Sequence, residues 1–377
     1  MSVQRRRPVW QAALAGLVAV ALLSGCASDK PKPASLESYT PAATAQPVWT
    51  ARIDGVRYPL VASVRSGRLA VAGSDGEVRV LQVVDGQEVW RAQAGGALSA
   101  GVGSDGRFVS VATQGNEVVT MEAGRVLWRQ RVPARVVTPP FVAGERVFVM
   151  SVDRAVHAFD ALDGRRLWVY QRPGEALTLA QAGVLTSHGN LLLAGQGPRL
   201  TALDPLRGSV RWEAPMAAPR GTNEVERLAD LVGPALRIGG TVCARSFQSA
   251  VGCVDAVRGQ SLWSRPGGGA QALAGDAERI VGADASDRVT AWRTAGGDVL
   301  WSNERLVHRG LGGGLMFKQW AVFGDREGLL HFLSAQSGQT QLRLSTDGSA
   351  VVGVPMAAGD LVLAVTARGG IHAFRVN

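Results

Sequence analysis

The chain is poor in the residues that most site chemistry needs. It has 3 Cys, 5 His and 3 Tyr in 377 residues, and only 19% of it is charged. It contains no Cys-x-x-Cys, no His-Glu-x-x-His and no Gly-x-Ser-x-Gly, so the local signatures of thiol redox, zinc peptidase and serine hydrolase chemistry are missing. Glycine-rich runs such as Gly310-Leu-Gly-Gly-Gly314 lack the Lys-Ser/Thr of a phosphate loop and read as tight backbone approaches. The His residues are scattered, and His157, His331 and His372 stand one or two places before Phe159, Phe332 and Phe374. That recurrence reads as a strand-face preference, and no metal site is expected. No basic cluster is interleaved with aromatics, so nucleic acid is not an expected partner.

What is abundant is glycine, 47 residues, and tryptophan, 10. They are paired. Gly86, Gly124, Gly164, Gly208, Gly259 and Gly297 each stand four residues before a Trp, namely Trp90, Trp128, Trp168, Trp212, Trp263 and Trp301. A degenerate copy has Gly338 and Leu342. Each Gly follows a β-rich run and sits where a hairpin turn needs positive φ, with Asp85, Asp163 or Ser337 just before it. Asp160, Asp204 and Asp255, eight before their Trp, are placed to accept bonds from turn amides. Each module is a small antiparallel sheet that cannot bury its own faces. Neighbouring modules must stack, with Trp as the filler.

Successive anchors lie 38, 40, 44, 51, 38 and 41 residues apart, the size of a four-stranded propeller blade. Trp49 lies 41 before Trp90 and looks like a final strand with no blade before it. Gly359-Asp-Leu-Val-Leu-Ala-Val365 and Gly370-Ile-His-Ala-Phe374 are blade strands with no outer strand after them. The expected fold is therefore all-β: an eight-bladed β-propeller over residues 47–377. Its ring is closed by the N-terminal strand completing the C-terminal blade, which leaves few edges exposed.

Residues 1–25 read as a signal peptide: Arg5-Arg6-Arg7, then an uncharged apolar run from Val9 to Leu23 that is short for a membrane span. The run ends in Leu23-Ser24-Gly25-Cys26, which resembles the bacterial lipobox. The resemblance implies acylation of Cys26 and, with Ala27 after it, sorting to the outer membrane, facing the periplasm. Residues 26–46 read as a lipidated N-terminus and flexible tether. Losing Arg5, Arg6 and Arg7 leaves 37 basic against 31 acidic residues, a net charge of +6. Cys243 and Cys253 flank a hairpin. They face each other if it is centred on Gln248, and the choice is open between a periplasmic disulfide and two buried thiols.

The pattern Ala158-x-Asp160-x-x-x-Gly164-x-x-x-Trp168 resembles the tryptophan-docking motif of quinoprotein dehydrogenases. Those are longer and carry adjacent cysteines, and this chain lacks a carboxylate cluster for their calcium; no cofactor is expected. Lipobox, tether and eight such repeats together are similar to the BamB family, lipoproteins of the β-barrel assembly machinery. The most specific stretch is Gly221-Thr-Asn-Glu-Val-Glu-Arg-Leu-Ala-Asp230, which fills the widest anchor interval. The resemblance implies a non-enzymatic scaffold of the BAM complex. It implies that the chain binds the POTRA domains of BamA and helps deliver or orient unfolded outer-membrane proteins. It also implies partner contacts from Leu177 and Leu179, in Ala176-Leu177-Thr178-Leu179, and from Arg227 and Asp230. Ala180 and Val232 depart from the family, which often has Arg and Asp at those places.

Taken alone, Leu177 and Leu179 alternate as core strand residues do, and Asp230 reads equally as a turn cap. Glu224, Glu226 and Arg227 would be an ordinary solvated loop face. A quinoprotein enzyme and a periplasmic lipoprotein binding peptide or glycan are the competing classes. The anchor is checked directly: Cys26→Ser should abolish acylation and leave the chain soluble or uncleaved in the periplasm. Flotation of that variant with outer membranes independently of BamA would overturn the anchor.

Overall fold

The computed structural model describes residues 31–172, 177–218 and 222–377. Cys26 and the leader lie outside them. Residues 34–377 form one unit of eight four-stranded antiparallel sheets, arranged as the blades of a ring. Seven blades are continuous in sequence and are numbered in chain order: 63–93, 98–131, 141–171, 185–215, 231–266, 274–303 and 314–345. Blade 3, for example, runs Phe141–Ala143, Arg146–Met150, Ala155–Asp160 and Arg166–Gln171 from the ring centre outward. The eighth takes Val351–Ala358, Leu361–Thr366 and Gly370–Val376 from the C-terminus and its outer strand, Ala45–Arg52, from the N-terminus. Ala45 pairs with Val376 and Arg52 with Gly370, so the ends of the chain close the ring. The strand starts two residues before the expected boundary at Pro47.

The blades are held by a relay between each outer-strand Trp and the glycine of the next blade's last hairpin. Gly164 has φ 74°, and a Cβ there would come within 2.6 Å of the Trp128 ring. Gly208 meets Trp168 in the same way, as do Gly259 with Trp212, Gly297 with Trp263 and Gly338 with Trp301. Gly86 receives Trp49, and Gly124 lies against Trp90. Glycine thus serves two needs at once, the left-handed turn and the close approach of an indole. Trp128 Nε1 donates to Ala161 O at 2.9 Å and Trp49 Nε1 to Val83 O at 2.7 Å, so these two indoles also bind the turns they cover. The turn itself is fixed by the repeat aspartates: Asp160 Oδ1 accepts from Leu162 N–H at 2.9 Å and Asp163 Oδ1 from Arg165 N–H at 2.8 Å. The Gly and Trp that stand four apart in sequence are therefore not contact partners. Each belongs to a different seam.

Leu342 marks the one seam where the rule fails, and the reason is topological. The eighth blade has no last hairpin, because its two outer strands come from opposite ends of the chain. In place of a glycine turn, Leu342 packs with Phe374, Val376, Ala43 and Ala45. The segment ahead of Ala45 is laid along blade 7 and the crossover that leads into it. Ala34 N–H donates to Val307 O at 2.9 Å and Ala42 N–H to Gln341 O at 3.0 Å. Glu37 pairs with Arg305 and accepts from Thr340 Oγ1 at 2.7 Å, and the Arg343 guanidinium lies 5.1 Å over the Tyr39 ring. From residue 34 on, the expected flexible tether is a docked strap. Polar composition suggested a free linker, but these side chains find specific partners once blade 7 exists.

Beneath the strap lies a buried charged cluster. Arg309 donates to Ala34 O, and its guanidinium lies 2.8 Å from Asp325 Oδ2. The same oxygen is 2.9 Å from His331 Nε2. Burial opposes charge on Asp325, but bonds from His331, Leu329 N–H and Arg309 outweigh it and hold the carboxyl below its usual range. Burial pushes the His331 imidazole down. Both shifts have the same sign for stability: each group binds protons less well folded than unfolded. Stability should therefore fall as pH drops below about 6.5, where an unfolded histidine begins to protonate. Melting temperatures at pH 7.5 and pH 5 check this, and His331→Gln should flatten the dependence. The relay is tested by Trp128→Ala, which should cost about 3–5 kcal/mol for a buried aromatic. Deleting residues 47–53 should cost more. Wild-type melting after that deletion would overturn ring closure.

Candidate functional site

Two connections between blades stand out for length. One follows blade 3 and contains Leu177, Thr178 and Leu179. The other follows blade 4 and runs to Asp230. In each blade the first-to-second and third-to-fourth hairpins lie at one end of the sheet, while the second-to-third turn and the crossover to the next blade lie at the other. Both connections therefore emerge on one face of the ring.

The second connection organises itself. Asn223 Oδ1 accepts from Glu226 N–H at 2.9 Å, and Glu226 Oε2 accepts from Thr222 N–H at 2.8 Å. These reciprocal bonds cap a short helical turn. The bond from Thr222 N–H, with others from Thr222 and Asn223 side chains, holds the Glu226 carboxyl below the usual range. Glu226, read in the sequence as part of a solvated face, is thus committed to shaping the loop. Val225 at the tip is 72% exposed. The loop then enters blade 5: Phe247 N–H donates to Asp230 O and Leu231 N–H to Gly197 O.

The two connections meet. Asp230 Oδ2 accepts from Leu179 N–H at 2.9 Å across 51 positions of sequence. Arg154, in the second-to-third turn of blade 3, donates from Nη2 to Leu177 O at 3.4 Å and lies 3.8 Å from Asp230 Oδ1. Deeper in, Gly183 bridges Val232, and Gly233 N–H donates to Ala182 O at 2.9 Å. Leu177 is exposed, while Leu179 and Arg227 are half-buried. Ala180 is exposed, and Val232 is buried opposite Arg245 in the strand pair. Ala176 lies outside the described residues. Sequence reasoning missed Arg154. Its only local signal is a left-handed turn, φ 64°, and its two contacts depend on ring geometry.

Among the described residues, groups suited to a quinone cofactor are not assembled. A cavity of about 430 Å³ among the inner crossovers is lined by residues such as Leu60, Gln181, Gly312 and Val352, with no charged side chain. Among the described residues no group of three or more His, Cys, Asp or Glu is placed to hold a metal ion. Cys243 and Cys253 pair in register within blade 5 and are joined by a disulfide, ten positions apart. They do not form the adjacent pair of the quinoprotein enzymes. The donor set does not fit that cofactor.

Fold and site together define an eight-bladed, quinoprotein-type repeat propeller that presents a built loop pair on one face. The sequence profile of the outer membrane protein assembly factor BamB family matches residues 74–303. BamB of Burkholderia pseudomallei is 35% identical over 97% of this chain and 98% of its own length. The crystal structure of BamB from Moraxella catarrhalis superposes with a TM-score of 0.80 at 21% identity, covering 88% of this chain and all of that one. The quinohemoprotein alcohol dehydrogenase of Comamonas testosteroni shares the fold at 14% identity, TM-score 0.66, with 88% and 76% covered. The chain belongs to the outer membrane protein assembly factor BamB family.

Proposed function

We propose that this chain is a non-enzymatic scaffold of the outer-membrane β-barrel assembly complex. It is anchored through acylated Cys26 to the periplasmic face of the outer membrane. Its partner is the POTRA region of BamA, and through that contact it helps deliver unfolded outer-membrane proteins for insertion. The observation that carries the reading is the junction of Leu177–Leu179 with Arg227–Asp230 on one face, in a chain of the BamB family. A propeller spends little of its surface on long crossovers, and a rigid ring carrying two that are stitched together supplies a preorganised docking face. Leu177 and Leu179 contribute apolar area, and Arg227 adds a charged edge.

The test is capture of the BamA POTRA region by the purified lipoprotein. Wild type should retain it. Leu177→Ala with Leu179→Ala should weaken retention at least tenfold, on the order expected for two anchor side chains, with melting unchanged within a few degrees. A matching fall in melting temperature would return the leucines to the core. Stable variants that still capture BamA at wild-type strength would overturn this site.

A further inference from the structure

The charged groups nearest the loop junction are turned into the protein. Arg154 and Asp230 side chains are 16% and 15% exposed. Both oxygens of Asp230 are engaged with the fold, one by Leu179 N–H and the other beside Arg154. Arg154 is held in turn from behind, since its carbonyl accepts from Gln196 Nε2 of blade 4 at 2.6 Å. Beneath them lies a cleft of about 40 Å³, bounded by Met150, Thr178, Leu179 and Leu231 among others. The Leu177–Leu179 segment is therefore suspended over a gap and tied at its two ends by charge-assisted bonds, more than it is packed. The large apolar side chains this region presents to solvent are Leu177 and Val225, beside the exposed polar face of Glu224 and Glu226.

We propose that Arg154 and Asp230 are a positioning pair: a clip that fixes the two loops in one conformation, while the contact itself is made by the apolar tips. This rests on the partner-binding reading above and deepens it. Arg154 gains a role, Asp230 changes from a contact to a support, and the partner is expected to offer an apolar pocket in place of a basic one. The physics favours this division. A carboxylate that is 15% exposed and already accepting a backbone bond has little left to give a partner. The same carboxylate removes loop entropy that binding would otherwise have to overcome.

The experiment uses the full mature chain and three variants: Arg154→Met, Asp230→Asn and the two combined. Amide exchange at residues 177–179 is followed in the free protein, and POTRA capture is followed at about 50 and 500 mM salt. Each single variant should speed exchange at Leu179 and weaken capture about tenfold, the scale of one hydrogen bond to a charged group. The double variant should lose no more than the worse single, because both act through one conformation. The ratio of variant to wild-type capture should change little with salt, since a largely buried clip is weakly screened. Asp230→Asn weakening capture with exchange unchanged would make Asp230 a direct contact and overturn the clip. So would a normal Arg154→Met, or a steep salt dependence of that ratio. If wild type captures no BamA, the partner reading falls, and exchange in the free variants still decides whether the clip exists.

Discussion

Everything in this ring depends on an indole lying on a glycine. A blade is a twisted sheet with two apolar faces, and it is stable only if both neighbours cover it. The seam is sealed at its outer rim, where Trp128 spans to the turn at Ala161–Gly164. The glycine must be there because a Cβ would occupy the ring's place, and because the turn needs positive φ. The aspartates on either side of the turn hold its amides so that the platform does not yield. Repeated around the circle, this contact converts weak, locally paired sheets into one cooperative body.

A ring also needs its ends dealt with, and the exceptions to the repeat follow from that need. Sharing blade 8 between the termini removes its last hairpin, so there is no glycine platform for blade 7 to dock on. Leu342 and the strap through Ala43 and Ala45 fill the gap. The strap is held by Glu37, Tyr39 and the backbone of Ala34 and Ala42. The chain thus enters its fold along a defined path. The buried Arg309–Asp325–His331 cluster beneath that path couples strap, turn and strand.

The rigid ring explains how loops distant in sequence are held against one another. Blade 3 contributes Arg154, and the crossovers after blades 3 and 4 contribute Leu179 and Asp230. All three are registered against the same scaffold. The Arg154–Asp230 charges are spent inside the loop pair, and Leu177 and Val225 are left outside. That arrangement suits the scaffold role proposed above.

Fold class, blade count and closure were legible in the sequence because they rest on local chemistry that repeats. Glycine at a left-handed turn, an aspartate that caps it and a Trp at fixed spacing recur often enough to be counted. Loop position was legible too, as the widest interval between anchors. What the sequence alone did not disclose was which residues touch. Gly164 belongs to Trp128 and not to Trp168, Arg154 reaches Leu177 and Asp230, and Glu37 reaches Arg305. Nor did composition reveal that the strap is docked. These contacts join residues 23 to 268 positions apart. No local propensity encodes such a pairing; it exists only once closure of the ring brings the blades side by side.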